Sequence, residues 1–209
     1  MTRRLERGGR LLLASHNQGK VREIRTLLAT LARSLEVLAA AELGLPEPEE
    51  SGLTFLDNAR IKAVAAARAA RLPALADDSG LEVEALGSAP GVRSARWAGP
   101  DRDFAAAMAR VWREVAERDG WIAPGPRANF TAVLCLAWPD GESAAFTGKV
   151  YGRLIFPPRG EKGFGYDPMF VADGQTLSFG EMEEEDKHAI SHRARAFAAF
   201  SRACLPAQP

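Results

Sequence analysis

The chain has 209 residues, with 27 Lys plus Arg balanced by 27 Asp plus Glu, and is 46% hydrophobic and 26% charged. That length supports one full core, or two lobes sharing one, and the balanced charge provides no whole-molecule field for a nucleic-acid polyanion. No apolar run nears the ~20 residues a membrane span requires, and the arginine-rich start lacks the apolar stretch of a secretory signal. A cytoplasmic protein is expected, with neither a membrane nor a nucleic-acid polymer as partner. Cys135 and Cys204 are far apart and form no CxxC, so Cys135 reads as a core thiol.

Residues 10–15 (RLLLAS) read as a short buried strand, and residues 20–32 carry apolar Val21, Ile24, Leu27, Leu28 and Leu31 at helical spacing. A second short strand is expected over 35–40, followed by an acidic, turn-rich loop, 44–52, with Pro46 and Pro48. Thr54 and Asp57 resemble a capping box opening an Ala-rich helix to about Leu72, with Ile61, Ala65 and Ala69 facing the core. Strands follow at 75–77 and 81–86, then a Gly/Pro loop with Ser94, Arg96 and Trp97. A third helix, capped by Asp101, runs to about Arg118. Residues 129–138 and 142–156 form a hairpin turning at Pro139, Asp140 and Gly141. The final third holds a Gly-rich loop, a short strand, an acidic stretch and a closing helix from about Ser191. This order is an α/β fold in a single domain, 1–209, with a second lobe containing roughly 121–160.

The segment Asp77, Asp78, Ser79, Gly80 ends an apolar strand with two carboxylates, a hydroxyl and a glycine. Such carboxylates need water, a metal or donors, because a buried unpaired charge is prohibitively costly. An Asp-Ser-Gly turn between strands uses the same residues. Adjacent strand residues point to opposite faces, so one of the pair, Asp78, is expected to enter a site directly. Residues 15–20 (Ser15, His16, Asn17, Gln18, Gly19, Lys20) lie at a strand end before a helix, where backbone N–H groups and the helix dipole suit phosphate. An Asn-Gly-type cap with a solvated lysine reads equally well. It is not a Walker A loop, since position 14 is Ala14 and Val21 replaces the magnesium-holding Ser or Thr.

Thr54, Asn58 and Lys62 recur every four residues on one helix face, either as a phosphate contact or as an exposed polar stripe. Glu49 and Glu50, with Asp77 and Asp78, are the best carboxylates for Mg²⁺, a hard cation that takes oxygen ligands. The run Glu183, Glu184, Glu185, Asp186 reads as a solvated face. Phe164 and Tyr166 stand among Gly163, Gly165 and Asp167, where an exposed ring can stack on a base. Lys187, Ser191, His192 and Arg193 cluster donors at a helix start, with His192 also readable as a surface cap.

Taken in order, SHNQGK, ESGLTFLDNARIKA, DDSGLEVEALGSAPGVRSARWAG, GFGYDP and KHAISHR resemble the inosine/xanthosine triphosphate pyrophosphatase family. The resemblance spans nearly the whole chain. It implies an elongated mixed sheet with a nucleotide cleft between two lobes, a homodimer, and Mg²⁺. The implied reaction is hydrolysis of non-canonical purine triphosphates (ITP, dITP, XTP) to monophosphate and pyrophosphate. Carried over by motif, Ser15 to Lys20 and Lys62 hold the triphosphate, Asp78 is the catalytic carboxylate, and Glu50 with Asp78 or Glu49 holds the metal. Ser79 touches the substrate, Phe164 to Asp167 contain the base, and Lys187, His192 and Arg193 read its 6-oxo edge.

The chain departs from the family pattern at His16 (usually glycine), Asp57 (commonly glutamate), Gly180 (alanine) and His188 (asparagine or serine). Two other readings stand beside this one: a nucleotide-binding module that does not hydrolyse, and a pyrophosphatase for other modified nucleotides.

Overall fold

The leucines after Arg10 fill both faces of a strand, as a parallel strand covered on each side requires. In the computed structural model, which describes residues 2–31, 34–119 and 121–206, this run is β1 (Arg10–Leu13). It pairs in parallel with β2 (Glu36–Ala39), where Leu11 faces Val37, and with β3 (Ala74–Val83), where Leu13 faces Leu75. β4 (Arg127–Ala137), β5 (Ser143–Leu154) and β6 (Phe170–Ala172) complete a six-stranded sheet of order β2-β1-β3-β4-β5-β6. β6 runs antiparallel to β5, so the sheet is mixed and the α/β class holds. The helices are α1 (Gln18–Leu31), α2 (Phe55–Ala70), α3 (Ser94–Trp97), α4 (Phe104–Asp119), α5 (Glu184–Ile190) and α6 (His192–Cys204). Among the described residues no helix is long and apolar enough to cross a membrane.

The chain divides into two compact units. The first comprises Met1–Asp78, Ala132–Gly148 and Arg193–Pro209. Its core joins Leu11 and Leu13 of β1, Ile24 and Leu28 of α1, Leu75, Leu134, and Phe197 and Phe200 of α6. The second comprises Ser79–Thr131 and Lys149–His192, with Leu81, Val83, Val111, Val115, Phe130, Phe170 and Phe179 inside. The hairpin is thus shared: residues 132–148 go with the first unit and its outer parts with the second. Its turn is as expected, with Gly141 at φ 94 and Trp138 N donating to Glu142 O at 2.9 Å.

Six local expectations are corrected. The Asp77 to Gly80 segment is no turn; β3 runs unbroken through it, and residues 84–86 form a 3₁₀ turn instead of strand. Gly80 serves close approach: a Cβ there would lie 2.4 Å from Ser94 Oγ and 2.5 Å from Gly91 O. Ser94, on α3 and not in a loop, donates to Gly91 O (2.7 Å) and accepts from Leu81 N (3.0 Å). The α2 capping box forms as expected, but the helix ends at Ala70 with Arg71 left-handed. Its buried face is Phe55, Ala59, Ala63 and Ala67, while Ala65 and Ala69 are exposed. Alanine at so many positions erases the period that would have told the faces apart. Asp103, not Asp101, caps α4 by accepting from Ala106 N at 2.9 Å. Ala32, the expected end of the first helix, lies outside the described residues.

Gly80→Ala is expected to lower unfolding free energy by about 1–3 kcal/mol, the usual cost of forcing a methyl into a filled space. Urea titration of the two proteins measures it, and an unchanged midpoint would refute the close-packing role.

Candidate active site

Within the first unit, β3 points Asp77 and Asp78 to opposite sides, and each meets different charge. Asp77 is 1% exposed and accepts from Lys20 Nζ at 2.8 Å and from Arg193 Nε and Nη2 at 3.3 and 3.4 Å. Arg193, itself buried, also pairs through Nη1 with buried Glu23 of α1. Burial opposes the charge on Asp77, but Arg193 and Lys20 outweigh it and hold the carboxyl well below the ordinary range. Burial likewise opposes the Arg193 charge, and Asp77 and Glu23 more than compensate.

Asp78 has the opposite balance. Burial pushes its carboxyl above the ordinary value; Lys62 and Lys20 pull it down less than burial, Glu50 and Asp77 push it up. Lys62 Nζ lies 3.3 Å from Asp78 Oδ1 and 2.5 Å from Glu50 Oε1, so one ammonium ties the two carboxylates together. Burial disfavours the Lys62 charge, yet Asp78 and Glu50 raise its pKa overall. Among the described residues, buried Asp78 Oδ2 and Asn58 Nδ2 have no hydrogen-bond partner. An unmatched carboxylate oxygen beside a second carboxylate fits an oxygen-seeking cation. No group of three or more His, Cys, Asp or Glu among the described residues forms a ready cage. Glu50 is half-buried and Glu49 exposed beside it.

The turn before α1 closes on itself. Asn17 N donates to Ser15 Oγ (3.2 Å), and Asn17 Oδ1 caps the helix by accepting from Lys20 N (3.2 Å). Gln18 is exposed, and Gly19 and Asn17 are half-buried. His16 turns its ring toward the acidic loop, Nε2 donating to Leu45 O at 2.9 Å.

The residues expected around a base, apart from Arg193, lie in the second unit. Asp167 Oδ2 accepts from Phe164 N (2.8 Å) and Lys187 Nζ (2.7 Å), both carboxylate and ammonium being buried. Gly163 has φ +71, and a Cβ on it would lie 2.2 Å from Asp167 Oδ2, so the loop closes only with glycine there. Lys187 Nζ stands 4.9 Å from the Phe164 ring centre and 5.9 Å from that of Phe179. Tyr166 is not an exposed ring: it is 3% exposed, packs edge-on to Phe104, and donates its hydroxyl to Ser94 O at 3.0 Å. Phe164 is the half-buried ring of the pair. His192 is buried and stacked on Phe130 at 4.9 Å, which a surface cap would not be. Ser79 opens this unit, half-buried.

The geometry therefore groups Lys20, Lys62, Glu50, Asp77, Asp78 and Arg193 in one unit, and Phe164, Asp167, Lys187 and His192 in the other. Arg193, expected at a base edge, is instead buried between two carboxylates. Glu23, Phe130 and Phe179 escaped the sequence reading. Glu23 adjoins Ile24 in an apolar stripe, and its one sequence signal is that an acid there needs a buried cation.

A helix start directly after a strand, a buried carboxylate with an unmatched oxygen among the described residues, and a six-stranded mixed sheet place the chain among the α/β proteins. The chain belongs to the Ham1 family, whose model matches residues 11–203. It is 57% identical over 203 residues to a dITP/XTP pyrophosphatase from Zymomonas mobilis, covering 97% of this chain and 95% of that one. The dITP/XTP pyrophosphatase of Gluconobacter oxydans is 55% identical over 205 residues, covering 98% and 95%. Among solved structures, a HAM1 protein from Coxiella burnetii superposes with TM-score 0.83 at 37% identity, covering 92% of this chain and 96% of that one. The Ham1 protein of Staphylococcus aureus gives 0.79 at 33% identity, with the same coverage.

Asp77→Asn is expected to cost about 3 kcal/mol of stability at neutral pH, because it strips charge from buried Arg193 and Lys20. The depressed folded-state pKa of Asp77 means its contribution is present above its unfolded value and lost as pH falls through the folded one. Denaturant unfolding at pH 7 and pH 3 should therefore show a gap between wild type and variant that narrows in acid. A gap that is absent at pH 7, or that widens in acid, would contradict this assignment.

Proposed function

We propose that the chain hydrolyses the non-canonical purine nucleotides ITP, dITP and XTP to monophosphate and pyrophosphate, keeping them out of DNA and RNA. The observation that carries this reading is Asp78: buried, raised in pKa, tied through Lys62 to Glu50, with Oδ2 unmatched among the described residues. The names of its relatives from Zymomonas mobilis and Gluconobacter oxydans support the same chemistry.

Lys20, Lys62 and the α1 N-terminus with residues 15–19 receive the triphosphate. Asp78 accepts a proton from the water that attacks the α-phosphorus. The bond to the oxygen bridging α and β phosphorus then breaks, and pyrophosphate leaves with the bonding pair. A raised carboxylate pKa makes Asp78 a better proton acceptor than an ordinary aspartate. Glu50 and Asp78, with Glu49 adjacent, would hold Mg²⁺, which when bound neutralises charge on the phosphates. Lys62, between the two carboxylates, offsets part of their repulsion.

The second unit supplies base recognition. Phe164 offers a ring, with Gly165 and Tyr166 shaping the loop behind it, and Ser79 contacts the substrate. Asp167 fixes the Lys187 ammonium, and stacking on Phe130 fixes the His192 ring. Donors there favour a 6-oxo group over an amino group, since facing donors leave both unpaired. Arg193, expected at the same edge, holds Asp77 and Glu23 through its guanidinium. The reading includes a homodimer in the cytoplasm; exposed Ile122, with the stacked pair Trp112 and Phe156, is apolar surface of the kind a second copy covers.

Pyrophosphate release from ITP, XTP, GTP, ATP and dUTP tests the proposal. Higher kcat/KM for ITP and XTP than for ATP is expected, and equal rates on ATP and ITP would overturn the 6-oxo reading. Asp78→Asn should lower kcat by about 10²–10⁴-fold with ITP binding retained. Lys62→Ala should raise KM, and unchanged kinetics would return Lys62 to a structural role.

A further inference from the structure

We infer that His16 is a positioning residue: it pins the acidic loop 44–52 to the phosphate-binding turn and thereby holds Glu50 in place beside Asp78. The inference rests on the reading of Glu50 and Asp78 given above.

The acidic loop is tied firmly at both ends. At its start, Glu42 accepts from Arg25 Nη2 at 2.7 and 2.8 Å and from Ala39 N at 2.9 Å, and Leu45 N donates to Ala40 O at 3.0 Å. At its end, Gly52 N donates to Asn58 Oδ1 at 2.8 Å, and a Cβ on Gly52 would lie 2.5 Å from Asp57 Cβ. Glu50 then reaches Lys62 at 2.5 Å.

Between these ends the run Pro46, Glu47, Pro48, Glu49 has two residues that lack an N–H, so it cannot close its own ladder. His16 meets the loop where this run begins: the carbonyl of Leu45, the residue before Pro46, accepts from His16 Nε2 at 2.9 Å. A carbonyl oxygen carries no proton, so the ring must hold its hydrogen on Nε2. Nδ1 then lies 3.9 Å from Glu47 Oε2, on the same loop.

His16 stands in the turn that reads as the phosphate cradle, yet its side chain is spent on the loop that carries the metal-facing carboxylates. One imidazole couples the two halves of the first unit's site. If the tie is cut, the middle of the loop gains conformational freedom that Glu50 must lose again when a cation and triphosphate bind. The ring is half-exposed, so its loss leaves the core untouched.

The test compares wild type, His16→Ala and His16→Gln, whose amide nitrogen can replace Nε2 as donor. Hydrogen exchange of the loop amides in the ligand-free protein is one readout, and the Mg²⁺ concentration giving half-maximal ITP hydrolysis is the other. Losing one hydrogen bond should speed loop exchange, and raise the Mg²⁺ requirement, by about three- to tenfold in His16→Ala. His16→Gln should restore both. Wild-type exchange in His16→Ala, or a change that His16→Gln does not reverse, overturns the inference. A wild-type protein inert on ITP overturns the proposed function instead, and the exchange result then judges the loop by itself.

Discussion

Two adjacent carboxylates on one unbroken, buried strand are the constraint to which the rest of the structure answers. Desolvating either charge costs several kcal/mol, and the strand turns the two apart, so each has different cations in direct contact. Asp77 is met by a guanidinium and an ammonium and is locked in its charged form. At Asp78 burial outweighs the pull of Lys62, which is shared with Glu50, and of Lys20, so its carboxyl is raised. Neighbours in sequence are thus shifted in opposite directions, one by its cations and the other by burial.

Most of the first unit serves that asymmetry. Parallel pairing of β1 with β3 sets Leu13 beside Leu75, and α1 follows β1 directly, which brings Lys20 to Asp77. The same helix presents Glu23, which anchors Arg193 from the other side. On α2 the capping box fixes the helix start, and Asn58 and Lys62 follow at successive turns. The second unit solves a similar problem with one pair: Asp167 neutralises Lys187 and closes its own loop onto Phe164 N. Two of the four bonds at which the chain passes between units, Asp78 to Ser79 and His192 to Arg193, fall inside motifs, so neighbouring motif residues belong to different units.

Local chemistry was legible in the sequence. Thr54 with Asp57, the hairpin at Asp140 and Gly141, and the leucine strand of β1 each depend on a few neighbouring residues, and each forms where expected. The ordered motifs also marked most of the charged residues that the first unit gathers. What escaped depends on distant partners. An Asp-Asp-Ser-Gly string looks like a turn unless Lys20, Lys62 and Arg193 are known to be waiting for it; with them, the strand continues. Arg193 sits next to His192 in sequence, but its buried partners come from β3 and α1. Tyr166 looks like an open ring among glycines until Ser94 is found to accept its hydroxyl. In α2, alanine hides which face is buried, since it is small enough for either.

The split between the two aspartates is the central claim, and carboxyl ¹³C titration of the labelled, metal-free protein measures it directly. Asp78 should titrate above the ordinary value of 3.8, while Asp77 stays ionised well below it. Two aspartates titrating together at the ordinary value, or Asp77 above Asp78, would contradict the account.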